Sequence, residues 1–207
     1  MKKNSGFTLV ELMITLAIVA ILLTVGVPSL TAFMQGNRLI SSTNELVSAL
    51  HVARSEAIKL NVRVSVCESS DGANCSTTGN WENGWIVFID GYGATPGDLQ
   101  NTGSPCAGMN TDCLLRIHEG FNDKRLTIKG IDANTTAAIS SFTFTSRGLP
   151  KVSAGSPAGA SQGGVFSICS LDDVGPTAST IDSRAVTLSL SGRVRASTNT
   201  AVISCPP

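Results

Sequence analysis

A long apolar run near the N-terminus, interrupted by one carboxylate, constrains this chain more than any other feature of its sequence. Two lysines, Lys2 and Lys3, precede the run, and between residues 7 and 33 the only charged side chain is Glu11. The uncharged part is close to the ~20 residues that a helix needs to span a bilayer. The pattern predicts a helical membrane anchor behind a short basic leader.

Glu11 is unexpected in such a segment, because an acidic side chain within a membrane helix costs about 2.5–3.5 kcal/mol and usually has a partner. Cleavage after Gly6 would create an α-amino group on Phe7, about one helical turn from Glu11. That amine could pair with Glu11 of its own chain or of a neighbouring chain. A simple signal anchor explains the lysines and the apolar run but not Glu11, and the small residues of a secretory cleavage site are missing after the apolar core. We therefore predict that Glu11 acts in assembly.

The helical pattern continues beyond the apolar run. Pro28 removes a backbone donor and should bend the helix. Beyond it, apolar residues recur mostly three and four positions apart on one face, namely Leu39, Leu46, Leu50, Ala53, Ala57 and Leu60. We predict one long kinked helix from Phe7 to about Leu60, with its second half docked on a head domain.

After residue 61 the pattern changes to short β-branched or aromatic segments separated by Gly, Asn, Asp and Pro. These segments are VRVSVCE, GWIVFID, LLRIHEG, LTIKGI, SFTFTSRG, GGVFSICS and RAVTLSLSGRVRAS. The stretch PKVSAGSPAGASQGG is rich in small residues and is predicted to be a loop between strands. The predicted fold class is α+β, with the long helix packed on a mainly antiparallel β head. The predicted parts are a leader at 1–6, an apolar helix at 7–36 and the head at 37–207.

The six cysteines all follow the apolar run, and their even number favours disulfides. Six cysteines allow many pairings, so the sequence leaves the connectivity open. The short loops in CESSDGANC and CAGMNTDC favour the pairs Cys67–Cys75 and Cys106–Cys113, leaving Cys169–Cys205. A zinc site is the alternative, but CxxC spacing is missing and both histidines are isolated. Disulfides indicate maturation in an oxidising compartment.

Enzymatic signatures are missing from the head. His51 and His118 have no nucleophile motif such as G-x-S-x-G beside them. The segment DGYGATPGD lacks the ligand spacing of an EF-hand loop and is predicted to be a plain turn. We predict that the protein is not an enzyme and uses no cofactor or metal.

The C-terminal segment VTLSLSGRVRAS reads as one strand with an apolar inner face and a polar outer face. Arg193 and Arg195 share the outer face, about 7 Å apart by the rise of a strand. Gly192 falls on the inner face and predicts a bulge or a close backbone approach. Two guanidinium groups on an exposed strand can bind successive phosphates. The alternative is a solvated pair that protects a sheet edge from aggregation.

The N-terminal segment GFTLVELMITLAIVAIL resembles the class III signal and first helix of type IV pilins and type II secretion pseudopilins. The resemblance implies that a prepilin peptidase cuts between Gly6 and Phe7, and that the new N-terminus is methylated. It also implies that Glu11 is the glutamate of the filament core and that Pro28 is the proline that bends the helix. The expected partners are other pilins, the peptidase and the inner membrane.

The head resembles the GspH/FimT/FimU branch of that superfamily through LVSALHVARSEAIKLNVRVSVC, WENGWIVFID, FTFTSRGLP and SGRVR. FimT-like minor pilins bind DNA through a C-terminal Gly-Arg-x-Arg element, which Gly192, Arg193 and Arg195 match. The resemblance therefore implies a minor pilin of a type IV pilus that assists assembly and binds double-stranded DNA during natural transformation. A type II secretion minor pseudopilin is the alternative. The implied location is the inner membrane, with a periplasmic head, and then the surface filament.

Charge limits any such DNA binding. The formal net charge is zero, and loss of Lys2 and Lys3 with the leader leaves two more acidic than basic side chains. Binding would be local, sequence-independent and strongly dependent on salt. Additional basic contacts are expected from Arg184, Arg147 and Lys151.

Overall fold

The structure is a computed structural model, and it describes residues 7–91, 112–121, 124–132, 137–152, 163–171, 180–198 and 205. Its elements are α1 (Leu9–Leu60), β1 (Arg63–Glu68), β2 (Gly84–Asp90), β3 (Cys113–Glu119), β4 (Leu126–Asp132), β5 (Ser141–Phe144), β6 (Pro150–Val152), β7 (Gly164–Leu171), β8 (Thr180–Leu188) and β9 (Val194–Ser197). A 3-10 turn, Trp81–Asn83, lies between β1 and β2. The chain divides into two compact units, Met1–Arg38 and Leu39–Pro207.

In the first unit, α1 is apolar and exposed. It is long enough and apolar enough to cross a membrane, and its most apolar window is not buried. The large apolar side chains that remain exposed there include Leu9, Leu12, Ile14, Ile18, Ile21, Leu22 and Phe33. The helix runs on through Pro28, and the predicted bend at this residue stays a prediction.

In the second unit, α1 packs against the sheets through its predicted apolar face. Leu39, Leu46, Leu50, Ala53 and Ala57 are fully buried. Leu60, which the spacing places on the same face, is 39% exposed, because the helix ends at this residue. Asn61 takes the left-handed conformation, at φ 54°, and Val62 N–H donates to Ala57 O at 3.2 Å, which closes the helix as a Schellman motif does.

Among the described residues of the second unit, the strands form two antiparallel sheets. Their strand orders are β3-β2-β1-β5-β6 and β4-β7-β8-β9, so the predicted mainly antiparallel head is confirmed. The core lies between the sheets and α1, and its largest buried side chains are Trp81, Trp85, Phe142, Phe144 and Phe166. Trp81 meets Phe166 edge to face at 4.9 Å and donates its indole N–H to Ile139 O at 2.7 Å. This satisfied polar group allows the ring to be fully buried.

The prediction of one continuous strand over VTLSLSGRVRAS is wrong. The segment forms the end of β8, a turn, and β9, which pair as a hairpin with Leu188 opposite Val194. The loop prediction for PKVSAGSPAGASQGG is wrong at its start, because β6 pairs with β5 through Lys151 opposite Thr143. Residues 153–162 of that stretch lie outside the described residues, and its last residue, Gly164, begins β7.

Two of the favoured disulfides are present. Cys67 pairs with Cys75, and Cys169 pairs with Cys205. Cys113 is also disulfide-bonded, while Cys106, its predicted partner, lies outside the described residues, as does most of DGYGATPGD. Inside the Cys67–Cys75 loop, hydrogen bonds from the Asn74 side chain and from backbone N–H groups hold the pKa of Asp71 well below its ordinary value.

Candidate functional site

The loop between β8 and β9, residues 189–193, presents the Gly-Arg-x-Arg element. Ser189 N–H donates to Arg193 O at 3.0 Å, and Gly192 N–H donates to Ser189 O at 2.8 Å. Arg193 N–H donates back to the Ser189 hydroxyl at 3.0 Å. Gly192 is left-handed, with φ 76°. This is the pattern of a three-residue hairpin loop closed by a left-handed glycine, and it fixes the backbone of Arg193.

The loop between β5 and β6, residues 145–149, repeats the same pattern in the other sheet. Thr145 N–H donates to Leu149 O at 3.0 Å, and Gly148 N–H donates to Thr145 O at 2.8 Å. Leu149 N–H donates to the Thr145 hydroxyl at 3.3 Å. Gly148 is also left-handed, with φ 72°. Each sheet therefore contributes one loop of the form Ser/Thr-x-x-Gly.

The two loops touch through their glycines, and Arg54 of α1 lies against both. A Cβ atom added to Gly192 would lie 2.1 Å from Gly148 O and 3.0 Å from Arg54 Nε. A Cβ atom added to Gly148 would also lie 3.0 Å from Arg54 Nε. Arg54 Nη2 donates to Ser191 O at 3.1 Å. The close backbone approach predicted at Gly192 is thus present, and its partner is the other loop.

This contact places two further arginines, the half-buried Arg54 and the exposed Arg147, near the predicted pair Arg193 and Arg195. Arg147 and Arg193 are each one residue, about 3.8 Å along the chain, from the touching glycines. Arg147, Arg193 and Arg195 are exposed, and Arg195 lies opposite Thr187 on the outer face of the hairpin. We call Arg54, Arg147, Arg193 and Arg195 the arginine cluster.

Two residues expected to help do not join the cluster. Arg184 pairs with Ile168, so strand alternation places it on the same face as the buried Val186, opposite to Arg195. Lys151 lies on β6 opposite Thr143, whose hydroxyl bonds that of the buried Ser65, and is not part of either touching loop. We therefore leave both out of the proposed site.

Sequence reasoning missed Arg54, which lies 137 residues from its hydrogen-bond partner. The two loops that Arg54 contacts share the Ser/Thr-x-x-Gly pattern, in Thr145 to Gly148 and in Ser189 to Gly192, but this pattern does not point to Arg54. Guanidinium groups suit phosphate oxygens, because their planar donors bind them in pairs. Chemically, the cluster offers donors of the kind that suit phosphate oxygens.

The start of α1 gives Glu11 a defined place. The Thr8 hydroxyl accepts the Glu11 N–H at 3.2 Å and so caps the helix. The carboxylate lies in the first turn, where the helix dipole favours a negative charge. Phe7 is 74% exposed just before the cap. Gly6 lies outside the described residues.

Two protein-family models match the chain. A family model described as type II transport protein GspH matches residues 42–192, and a model of the prokaryotic N-terminal methylation motif matches residues 1–27. No curated protein is significantly similar to the chain.

Two solved structures are similar to the chain, and both are crystal forms of the type IV minor pilin FimU of Pseudomonas aeruginosa strain PAO1. The form in space group P21 is 23% identical, with 79% of this chain and 90% of that chain covered and a TM-score of 0.47. The form in space group P65 is 22% identical, with 76% and 90% covered and a TM-score of 0.45.

Proposed function

The chain belongs to the GspH family of type II transport proteins and carries the prokaryotic N-terminal methylation motif, and from this membership we propose that it is a FimT/FimU-like minor pilin of a type IV pilus. The apolar half of α1 carries the proposal. Its large side chains are exposed throughout the first unit, and exposed apolar surface on this scale marks a membrane or a protein interface. The helix would hold the chain in the inner membrane first and among neighbouring pilins afterwards. The disulfide-bonded head fits the oxidising periplasm.

A second candidate is a minor pseudopilin of a type II secretion system, which the description of the matching family favours. The two candidates share the anchor and the assembly chemistry but differ in the filament. Pili sheared from the cell surface and probed for this chain separate them. Presence in sheared pili supports the minor pilin, whereas absence, together with loss of secretion on deletion of the gene, supports the pseudopilin.

We expect the mature protein to begin at Phe7, with the leader of residues 1–6 removed by a prepilin peptidase. Intact-mass spectrometry of the membrane-extracted chain checks this, and a methylated Phe7 would add the mass of one methyl group. A peptidase-deficient strain is the control and should retain the leader. A full-length mass in peptidase-competent cells would contradict the pilin proposal.

Replacing Glu11 by alanine should leave insertion intact but reduce incorporation into filaments severely. Insertion becomes easier, because a side chain that costs about 2.5–3.5 kcal/mol in the membrane is removed. The helix cap survives, because Thr8 bonds the backbone N–H of residue 11. Immunoblots of the membrane and sheared-filament fractions measure the two steps.

The matched control for this experiment is Glu11→Gln, which keeps the size and removes the charge. If the carboxylate pairs with the Phe7 amine of a neighbour, the glutamine variant should fail as the alanine variant does. Incorporation of either variant at the wild-type level would show that the charge has no assembly role.

We further propose that the head binds double-stranded DNA through the arginine cluster, which would serve uptake during transformation. The exposure of Arg147, Arg193 and Arg195 around one loop contact supports this function. Binding would be sequence-independent, because exposed guanidinium groups bind phosphate oxygens, which carry no sequence information.

A further inference from the structure

A lysine, a carboxamide and a carboxylate meet where the two sheets adjoin. Lys129 Nζ contacts Asn80 Oδ1 and lies 3.5 Å from Glu82 Oε1. Asn80 and Glu82 belong to the connection between β1 and β2 of the five-stranded sheet, and Lys129 belongs to β4 of the four-stranded sheet. The Lys129 amine, a potential nucleophile, therefore lies beside the side-chain carbonyl group of Asn80. The Glu82 carboxylate, which can carry a proton, lies next to the same amine.

The three side chains are held in place by their surroundings. Glu82 Oε2 accepts the Ile128 N–H of β4 at 3.0 Å, which leaves Oε1 facing Lys129. Between Asn80 and Glu82, Trp81 is fully buried and anchors the connection in the core. The Lys129 and Glu82 side chains are 35% and 21% exposed, whereas Lys59 beside Glu56 is 71% exposed. Lys129 is thus shielded more than a free surface lysine.

We propose that Lys129 and Asn80 form an intramolecular isopeptide bond, with Glu82 as the proton carrier. The Glu82 carboxylate takes a proton from the Lys129 ammonium, and Nζ attacks Asn80 Cγ. The Nζ–Cγ bond forms, Glu82 returns the proton to Nδ2, and the Cγ–Nδ2 bond breaks. Ammonia leaves and carries off the second amine proton as ammonium. The reaction needs no oxidant, reductant or external reactant.

Such a bond would join the two sheets covalently. The described disulfides do not: Cys67–Cys75 lies within the β1–β2 side, and Cys169–Cys205 ties β7 to the C-terminus. When a filament is pulled, each subunit bears part of the force. A covalent cross-link between the two sheets would keep the core of the subunit closed under that force. This inference concerns the head alone and is independent of whether the chain binds DNA.

The test is intact-mass spectrometry and a tryptic map of the full chain, purified from the expressing cells in detergent and reduced. The wild type should be lighter than its processed sequence by one ammonia molecule. Trypsin should not cut after Lys129, so residues 64–116 and 126–147 should be recovered as one branched peptide, whereas cleavage after Lys59 proceeds. Glu82→Gln, which keeps an acceptor for the Ile128 N–H, and Lys129→Arg should both restore the full mass.

Loss of ammonia has one competing source in this chain, succinimide formation at Asn83 before Gly84. That product contains no branched peptide and persists in Lys129→Arg, so this combination of results overturns the proposal. A wild type of full mass that is cleaved after Lys129 overturns it equally, and this decision needs no variant to fold.

Discussion

Replacing Gly192 by alanine should lower the free energy of unfolding of the head by about 2–5 kcal/mol. A left-handed conformation costs an L-residue about 1–2 kcal/mol, and an added atom in a packed contact typically costs about 1–3 kcal/mol more. Both terms apply at Gly192, whose φ is 76° and whose added Cβ atom would lie 2.1 Å from the backbone oxygen of Gly148. A backbone atom cannot move aside as a side chain can, so the two loops must separate.

The chain supplies a matched control for this prediction in Gly148→Ala. Gly148 has nearly the same φ, 72°, but the closest atom to its added Cβ is Ile58 Cδ1 at 2.8 Å, the flexible end of an exposed side chain. Its cost should therefore stay near the conformational term alone, about 1–2 kcal/mol. Urea unfolding followed by fluorescence of the buried Trp81 and Trp85 measures both variants. Equal losses for the two variants would mean that the contact between the loops contributes nothing.

Much of the fold is readable from the sequence because its determinants are local. The buried face of α1 follows from apolar spacing, and β1 to β4 follow from β-branched runs bounded by turn residues. The β8–β9 hairpin could not be predicted from the same local pattern, for a physical reason. Ser189 and Arg193 flank three loop residues, so the paired positions are four apart and the alternation of apolar residues continues in phase through the turn. Only Gly192 interrupts the pattern, and a bulge explains a single glycine equally well.

The candidate site is less predictable, because it depends on contacts between distant segments. The Arg-x-Arg spacing predicts that Arg193 and Arg195 share a face, and both are exposed. That Arg147 joins them depends on the contact of Gly148 with Gly192, and no local pattern specifies such a contact. Arg184 has the same parity as Val186 and Leu188, so strand alternation already places it on the inner face, and the register of β8 with β7 agrees. The pairing of Asn80 with Lys129 is likewise a product of how the two sheets meet.

Replacing both Arg193 and Arg195 by glutamine should remove most of the DNA binding of the head while leaving its melting temperature nearly unchanged. Both side chains are exposed, and surface substitutions away from caps and contacts usually change stability by less than about 0.5 kcal/mol. A fragment beginning near Arg38, a short duplex of arbitrary sequence and low salt are suitable conditions. Wild-type binding should fall with salt at a log–log slope of about −2 to −4, as expected for two to four neutralised phosphates. The double variant should lose about 1 unit of slope per arginine.

Two further variants make the experiment specific to the arginine cluster. Arg147→Gln should weaken binding and flatten the salt dependence by about 1 unit, because its loop touches that of Arg193. Arg116→Gln removes the same charge from an exposed position on β3, in the five-stranded sheet, and should bind as the wild type does. If Arg116→Gln and the double variant lost the same DNA affinity per charge removed, the effect would come from net charge and not from the arginine cluster. If the double variant bound DNA as the wild type does, the DNA-binding proposal would be wrong. The exposed arginines would then be explained as protection of a sheet edge against aggregation, since β9 is the edge strand of the four-stranded sheet.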